Sequence, residues 1–175
     1  MSDLETQIKA KIRSIPDYPK KGVLFRDITP VLKDFKMFGA CVEELADRFA
    51  DSDIDYVAGI EARGFIIGAA VANRLKVGFI PLRKKGKLPY KRISVDYDLE
   101  YGRETLEMHE DALERDKRVL IIDDLLATGG TARAADELVE KAGATVAGFG
   151  FLVELEDLKG REALNGARIV SLVKC

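Results

Sequence analysis

Two adjacent carboxylates, Asp123 and Asp124, stand between an apolar run at residues 119–122 and a loop rich in Gly and Thr. The run has the length and the β-branched content of a buried parallel strand. In an open α/β sheet, ligands bind at the carboxyl ends of the strands. We therefore expect both aspartates to lie where a ligand would bind.

The loop that follows, residues 125–130, has the composition of an anion site. Together with Thr131, which is predicted to open a helix, it offers backbone N–H groups, the hydroxyls of Thr128 and Thr131, and a helix N-terminus. Gly129 and Gly130 let the backbone approach an anion without a Cβ in the way. The loop has neither the lysine of a nucleotide triphosphate loop nor the glycine spacing of a dinucleotide fold. It is therefore predicted to hold one phosphate.

The carboxylates must face another part of the ligand, because they repel phosphate. An ionised Asp accepts hydrogen bonds and cannot donate them, which suits a pair of neighbouring hydroxyls. A phosphate beside a diol describes ribose 5-phosphate. The plain alternative is a buried strand that ends in a solvated acid pair and a turn.

Composition sets the general class of the protein. The chain has 175 residues, 47% hydrophobic and 33% charged, which predicts one globular domain over residues 1–175. A net charge of −2 argues against nucleic-acid binding through bulk charge. Cys41 and Cys175 lie far apart and suggest neither a metal site nor an oxidising compartment. No apolar run approaches membrane length, so we expect a cytoplasmic protein with no membrane partner.

The elements that would position these groups alternate between strand and helix, which predicts an α/β fold with a parallel sheet covered on both faces. Predicted strands cover residues 56–60, 77–81, 119–122, 145–152 and 169–173, and predicted helices cover 2–15, 36–50, 65–75 and 131–141, with a helical turn at 160–164. Residues 1–34 have no α/β pattern and are predicted to cap the sheet or pack on it as a plain arm. Within them, residues 23–30 are predicted to be extended, since Pro30 disfavours a helical Thr29.

Residues 88–109 interrupt the α/β pattern with two runs of alternating polar and apolar residues. Period two is typical of half-buried antiparallel strands, so we predict a hairpin flap that closes as a lid. Its carboxylates Glu100, Glu104 and Glu107 are candidates for moving a proton on a substrate, and the pattern alone does not choose among them. His109 lies in phase with polar residues and is interpreted as structural or solvent-facing.

Cations gather after the predicted strand at residues 77–81: Arg83, Lys84, Lys85 and Lys87. Such a run is often a solvated surface, but here it follows a strand's carboxyl end, and Arg63 follows another. This much positive charge predicts a pyrophosphate on the ribose, with Mg²⁺ held mainly by substrate oxygens, because Mg²⁺ needs few protein ligands. The matching reaction displaces pyrophosphate from the anomeric carbon through an oxocarbenium-like transition state.

Several segments together resemble the adenine phosphoribosyltransferases, a branch of the type I phosphoribosyltransferase family. They are residues 25–32, Gly59-Ile60-Glu61-Ala62-Arg63-Gly64-Phe65, residues 83–89, Leu99-Glu100-Tyr101-Gly102, residues 123–131, residues 153–155 and residues 158–161. The resemblance covers nearly the whole chain in register. The 123–131 segment indicates the broad family, whereas the N-terminal segment and the 99–102 segment are specific to the adenine branch.

The resemblance implies the type I phosphoribosyltransferase fold, with a mostly parallel central sheet flanked by helices, an N-terminal hood at residues 1–34 and a flexible flap at residues 88–109. It implies that adenine and phosphoribosyl pyrophosphate (PRPP) give AMP and pyrophosphate with Mg²⁺, in purine salvage, by a homodimer.

The resemblance also implies residue roles. The phosphate loop would be Ala127, Thr128, Gly129, Gly130 and Thr131, and the ribose hydroxyls would bind Asp123 and Asp124. Pyrophosphate would bind Arg63, a catalytic residue, with Arg83, Lys84 and Lys87, some of them across the dimer. The hood over adenine would be Leu24, Phe25 and Arg26, with Leu125 and either Ile60 or Val23 nearby. Glu100 would be the catalytic carboxylate that transfers a proton on the purine.

Two alternatives stay open at this point. One is a phosphoribosyltransferase for hypoxanthine, guanine or xanthine, since backbone groups that read a base leave no diagnostic side chain. The other is a regulator that binds PRPP without catalysis. Such a regulator would need a nucleic-acid-binding module, and no helix-turn-helix pattern precedes the domain.

Overall fold

A computed structural model of the chain describes residues 3–99, 102–164 and 166–175. In these ranges a seven-stranded sheet lies beside a two-stranded one. The strands are β1 Arg13–Ile15, β2 Phe25–Asp27, β3 Tyr56–Ile60, β4 Gly78–Lys84, β5 Arg92–Leu99, β6 Gly102–His109, β7 Arg118–Leu126, β8 Thr145–Glu154 and β9 Ile169–Lys174. The helices are α1 Asp3–Lys11, α2 Thr29–Lys33, α3 Phe35–Arg48, α4 Arg63–Leu75 and α5 Gly130–Lys141, with 3-10 turns at Glu156–Leu158 and Gly160–Leu164.

The large sheet has the strand order β5-β6-β4-β3-β7-β8-β9. The five strands β4, β3, β7, β8 and β9 are parallel, and the hairpin β5-β6 joins the edge of β4 in antiparallel fashion. This arrangement confirms the predicted mostly parallel sheet. It also places the carboxyl ends of β3, β4 and β7 side by side at the same end of the sheet, where the predicted site residues lie.

Helices cover both faces of the sheet, and β7 is buried on both. Leu120 and Ile122 pack into the core on the side of α3 and α4, whereas Val119 and Ile121 pack into the core on the side of α5. All four side chains are 0% exposed. Burying an aliphatic side chain of this size contributes about 2 kcal/mol, so the strand that carries the acid pair is firmly held.

Four strands, β4, β7, β8 and β9, extend further than the hydropathy pattern predicts, and the extensions of β7 and β4 concern the site. Strand β7 continues to Leu126, because β8 pairs with it as far as Leu126 opposite Glu154, so Asp123 and Asp124 lie in the strand and do not follow it. Strand β4 continues to Lys84, because β6 pairs with Arg83 and Lys84. Helix α5 begins at Gly130, one residue before the predicted start at Thr131.

The N-terminal arm differs most from its prediction. The predicted helix over residues 2–15 ends at Lys11, and Arg13–Ile15 instead pairs with Phe25–Asp27 as an antiparallel ribbon. The predicted extended segment is wrong at Thr29, which begins α2. Pro30 is accepted there because the first turn of a helix has no use for its missing N–H. The arm thus forms a two-stranded sheet and packs on the main core through Ile8 and Ile28, which are fully buried.

The predicted hairpin is present, with β5 and β6 paired from Arg92 opposite His109 to Leu99 opposite Gly102. Its base belongs to the core, since Val95, Leu106 and Met108 are at most 4% exposed. The predicted flexibility of the flap stays a prediction. In the part of the chain that the structure describes, no helix combines the length and the apolarity that crossing a membrane would need.

Candidate active site

A cavity of about 320 Å³ opens where the carboxyl ends of β3, β4 and β7 meet. It is lined by Ile60, Glu61, Ala62, Arg63, Lys84, Tyr97, Glu104, Leu106, Asp123, Asp124, Leu125, Ala127 and Thr131. The cavity thus brings together the predicted acid pair, one predicted cation from each of two other strand ends, and part of the flap.

Both carboxyl groups of the acid pair have raised pKa values. Burial raises the pKa of Asp123 well above its usual value, and the negative charge of Asp124 raises it further. Burial also raises the pKa of Asp124, although the positive charge of Arg63 opposes this shift. One oxygen of Asp123, Oδ1, accepts a hydrogen bond from the backbone N–H of Asp124 (2.8 Å). Additional hydrogen-bond donors would stabilise the ionised pair, and the hydroxyls of a ribose are such donors.

Arg63 connects the acid pair to the N-terminal arm. Its Nε lies 2.9 Å from Oδ2 of Asp124, so the two charges are in contact. The same Oδ2 is buried and receives no hydrogen bond from any described residue, so the ion pair is not a well-aligned hydrogen bond. The Arg63 guanidinium also lies 5.2 Å from the centre of the Phe25 ring.

The segment between β3 and α4 passes very close to the acid pair. A Cβ added at Gly64 would lie 2.8 Å from the carbonyl oxygen of Ile122 and 2.9 Å from Oδ1 of Asp123. Only glycine therefore lets α4 begin so near the end of β7. The peptide bond between Glu61 and Ala62 is cis. This close passage is what places the Arg63 side chain over the cavity.

Only some of the predicted basic residues at 83–87 line the cavity, and the others bond to residues around it. Lys84 lines the cavity. Arg83 instead donates from Nε to Oε2 of Glu61 (3.0 Å), and this bond lowers the pKa of Glu61. The backbone N–H of Lys84 donates to the same oxygen (2.9 Å). Lys87 does not line the cavity; its carbonyl accepts a hydrogen bond from Arg83 (3.4 Å). The roles of Arg83 and Lys87 on pyrophosphate stay predictions.

The predicted phosphate loop encloses a second cavity of about 110 Å³, lined by Asp123, Leu125, Leu126, Ala127, Thr128, Gly129, Gly130, Thr131, Ala132 and Phe151. Gly129 precedes α5 with φ +86°, a backbone conformation that favours glycine. No described side chain caps this helix, so its first N–H groups are available to an anion. A phosphate fits this position by charge and by geometry.

The predicted hood contacts the lining of the cavity through Phe25, whose ring centre lies 5.2 Å from the guanidinium of Arg63, but Phe25 itself does not line the cavity. Leu24 is 47% exposed, and Arg26 donates from Nη1 to Oγ of Ser14 (2.6 Å) while its buried Nε has no partner among the described residues. Neither of them lines the cavity, whereas Leu125 does. The binding of adenine by Leu24, Phe25 and Arg26 therefore stays a prediction.

The three flap carboxylates have different surroundings. Glu104 lines the cavity and accepts hydrogen bonds from Nζ of Lys84 (3.1 Å) and from the hydroxyl of Tyr97 (3.2 Å). Glu107 is 3% exposed and accepts hydrogen bonds from Arg92 (3.0 Å) and from the backbone N–H of Gly86 (2.9 Å). These bonds connect β6 to β5 and to the turn after β4. Glu100 lies outside the described residues.

Sequence reasoning missed Tyr97, although its phase in the alternating run placed it on the same side as the buried Val95. His109 does not line the cavity. Its ring packs against Tyr90 (6.0 Å between centroids), and its buried Nε2 has no partner among the described residues. The interpretation of His109 as structural fits this position.

Comparison with known proteins assigns the class. A model of the phosphoribosyl transferase domain matches residues 32–167, so the chain belongs to the phosphoribosyltransferases. Within that class it belongs to the adenine phosphoribosyltransferase family. It is 58% identical to the adenine phosphoribosyltransferase of Methylococcus capsulatus, over 95% of this chain and 98% of the relative. It is 53% identical to that of Halothermothrix orenii, over 96% of this chain and 99% of the relative.

Solved structures agree with this assignment and confirm the predicted fold. The adenine phosphoribosyltransferase of Thermoanaerobacter pseudethanolicus is similar with a TM-score of 0.95 and 52% identity, over 97% of this chain and 99% of that chain. The enzyme of Giardia lamblia, in complex with 9-deazaadenine, is similar with a TM-score of 0.93 and 39% identity, over 100% of this chain and 99% of that chain.

Proposed function

We propose that the chain transfers the 5-phosphoribosyl group from PRPP to adenine and releases AMP and pyrophosphate, as expected for purine salvage. One observation carries the proposal: the acid-pair cavity and the phosphate-loop cavity adjoin. They share the lining residues Asp123, Leu125, Ala127 and Thr131. A ligand with a diol beside a phosphate can therefore occupy both cavities at once.

The ribose 5-phosphate half of PRPP is held by β7 and the loop after it. The backbone N–H groups at 127–131 and the hydroxyls of Thr128 and Thr131 bind the 5-phosphate, which stays on the ribose through the reaction. Asp123 and Asp124 accept hydrogen bonds from the ribose hydroxyls. These contacts fix the anomeric carbon relative to the rest of the site, which lowers the entropic part of the barrier.

Pyrophosphate lies on the side of Arg63 and Lys84, the two cations that line the cavity. As adenine nitrogen bonds to the anomeric carbon, the bond from that carbon to the pyrophosphate oxygen breaks. Arg63 stabilises the negative charge that builds on the leaving group. Before PRPP binds, Arg63 contacts Asp124, so its move to pyrophosphate leaves the carboxylate to the ribose. Arg83 and Lys87 are proposed to add charge at this position, in one chain or across a dimer.

Adenine is covered by the hood residues Leu24, Phe25 and Arg26 with Leu125 beneath. Glu100, on the flap, transfers a proton on the purine. The closed flap excludes water, which would otherwise hydrolyse the activated sugar. The protein needs no covalent nucleophile for this reaction.

Mg²⁺ is proposed as the cofactor, held mainly by the oxygens of PRPP. Among the described residues, no group of three or more His, Cys, Asp and Glu side chains is placed to bind a metal by itself. A magnesium ion needs few protein ligands when a substrate supplies oxygens. The cavity fits it by charge, since the carboxylates of Asp123 and Asp124 line it. When bound, the ion neutralises charge on the pyrophosphate.

A homodimer and a cytoplasmic location stay predictions from the sequence. The exposed ring of Phe35, 88% accessible on the single chain, supports a second subunit. The two free cysteines, Cys41 and Cys175, support a reducing compartment.

The purified chain should convert adenine and PRPP to AMP and pyrophosphate, and only with Mg²⁺ present. Adenine, hypoxanthine, guanine and xanthine are compared as acceptors with and without Mg²⁺, and nucleotide and pyrophosphate are both quantified. We expect adenine to be used far better than the other three bases. Turnover of another base in its place would indicate a different purine enzyme. Binding of PRPP with no pyrophosphate release from any base would indicate a regulator.

A further inference from the structure

The 3-10 turn Gly160–Leu164 forms the back wall of the phosphate loop. A Cβ at Gly160 would collide with the carbonyl oxygen of Ala127 and would lie 2.9 Å from the side chain of Leu126. From the other side, a Cβ at Gly129 would lie 2.5 Å from the carbonyl oxygen of Gly160 and 2.8 Å from Cβ of Ala163. The two backbones are thus in direct contact, and the position of the loop depends on the position of the turn.

Arg161 ties this turn to the sheet. Its Nε donates to Oε1 of Glu154 (2.6 Å) and its Nη2 to Oε2 of the same carboxylate (2.7 Å). Nη1 donates to the carbonyl oxygen of Ile169 (3.3 Å), and Nη2 also reaches Oγ of Ser171 (3.4 Å). A bidentate guanidinium–carboxylate pair fixes orientation as well as distance. The turn is therefore held to both β8 and β9.

Glu154 connects the Gly160–Leu164 turn to β7. It is 4% exposed, ends β8 and pairs with Leu126, the last residue of β7. The N–H of Leu155 donates to the carbonyl oxygen of Leu126 (2.9 Å). Burial alone would raise the pKa of Glu154, but the bonds from Arg161 and Ser171 outweigh it and hold the pKa below its usual value. The carboxylate stays ionised, and removal of its partner would leave a buried charge unpaired.

We infer that Arg161 and Glu154 are positioning residues for the 5-phosphate of the substrate, an inference that rests on the proposed role of the 127–131 loop. Neither residue lines the two site cavities. They act through Gly160 and Ala163, which pack against Gly129 on the side away from the phosphate. The two ends of PRPP should respond differently, because Arg63 follows β3 and Lys84 ends β4, and within the described residues neither side chain bonds to the turn.

Arg161→Met should therefore lower the affinity for ribose 5-phosphate roughly tenfold or more and leave the affinity for pyrophosphate with Mg²⁺ near that of wild type. Both are measured by calorimetric titration, and KM for PRPP should rise more than kcat falls. Arg161→Lys keeps the charge and loses the bidentate geometry. Its affinity for ribose 5-phosphate should lie between those of wild type and Arg161→Met. If Arg161→Met does not fold, Arg161→Lys and Glu154→Gln decide by the same titrations.

Arg168→Met is the matched control. Arg168 directly precedes β9 and holds this segment through Asp51 (2.8 Å) and the carbonyl oxygen of Arg48. It lies at the amino end of β9, whereas the phosphate loop follows the carboxyl end of the parallel strand β7. Arg168→Met should lower the melting temperature without changing the affinity for ribose 5-phosphate.

Three results would overturn the inference. They are wild-type affinity for ribose 5-phosphate in folded Arg161→Met, an equal loss of both ligands, and a wild-type chain that does not bind ribose 5-phosphate. A chain that shows the selective loss but does not use adenine would contradict the proposed reaction and support the inference.

Discussion

Asp124→Asn should weaken PRPP binding roughly 10- to 100-fold, because a lost hydrogen bond to a charged acceptor costs about 1.5–3 kcal/mol. An amide cannot present to a diol the same acceptors as a carboxylate. The same change at Asp123 should act in the same direction. Titration with PRPP and with ribose 5-phosphate measures the loss, and pyrophosphate alone is the control ligand. Unchanged affinity for ribose 5-phosphate in both variants would remove the acid pair from the ribose site.

Asp123→Asn has a second expected effect, on stability. The pKa of Asp123 in the folded chain lies above the usual value of 3.8, chiefly through burial, so its ionised form costs folding stability at neutral pH. The variant should therefore melt at a higher temperature than wild type at pH 7. That advantage should shrink as the pH falls from the raised pKa through 3.8 and should vanish below 3.8, where the wild-type carboxyl is neutral in both states.

The exposed Asp111 supplies the control for this comparison. Asp111→Asn makes the same chemical change on the surface and should melt like wild type at pH 7. An Asp123→Asn chain less stable than wild type at pH 7 would contradict the stated cost of the buried charge. Higher stability together with weaker PRPP binding would show that the site gives up stability for ligand binding.

Glu100→Gln should lower turnover roughly 100-fold or more, the usual size of a general acid–base contribution, while PRPP affinity stays near that of wild type. Glutamine keeps the size of the side chain and cannot exchange the proton. Steady-state kinetics and PRPP titration on the same preparation separate the two quantities. The role of Glu100 comes from the family resemblance, because this residue lies outside the described ranges.

Glu104→Gln is the informative comparison, since Glu104 lines the cavity and bonds to Lys84 and Tyr97. It should reduce turnover much less than Glu100→Gln. If Glu104→Gln abolished turnover and Glu100→Gln did not, the proton transfer would belong to Glu104.

Much of the sheet could be predicted because its strands are short apolar runs between polar loops. The predicted strand at residues 56–60 coincides with β3, whose last four residues are buried. The end of β7 could not be predicted in the same way. Asp123 and Asp124 interrupt the apolar pattern, and pairing with β8 keeps them in the strand.

The site was predictable where its residues are adjacent in sequence, as in the acid pair and the loop after it. It was not predictable where the contacts join distant elements. Arg83 carries charge, but its bond to Glu61 depends on how β4 lies beside β3. Likewise, the ribbon of β1 and β2 overrides the helical pattern at residues 13–15 and brings Phe25 under Arg63.

A crystal structure of the wild-type chain with AMP tests the central claim most directly. We predict the 5-phosphate on the backbone N–H groups at 127–131, the ribose hydroxyls on Asp123 and Asp124, and the adenine ring beneath Phe25. Phosphate bound at residues 83–87, or a ribose with no contact to either aspartate, would contradict it.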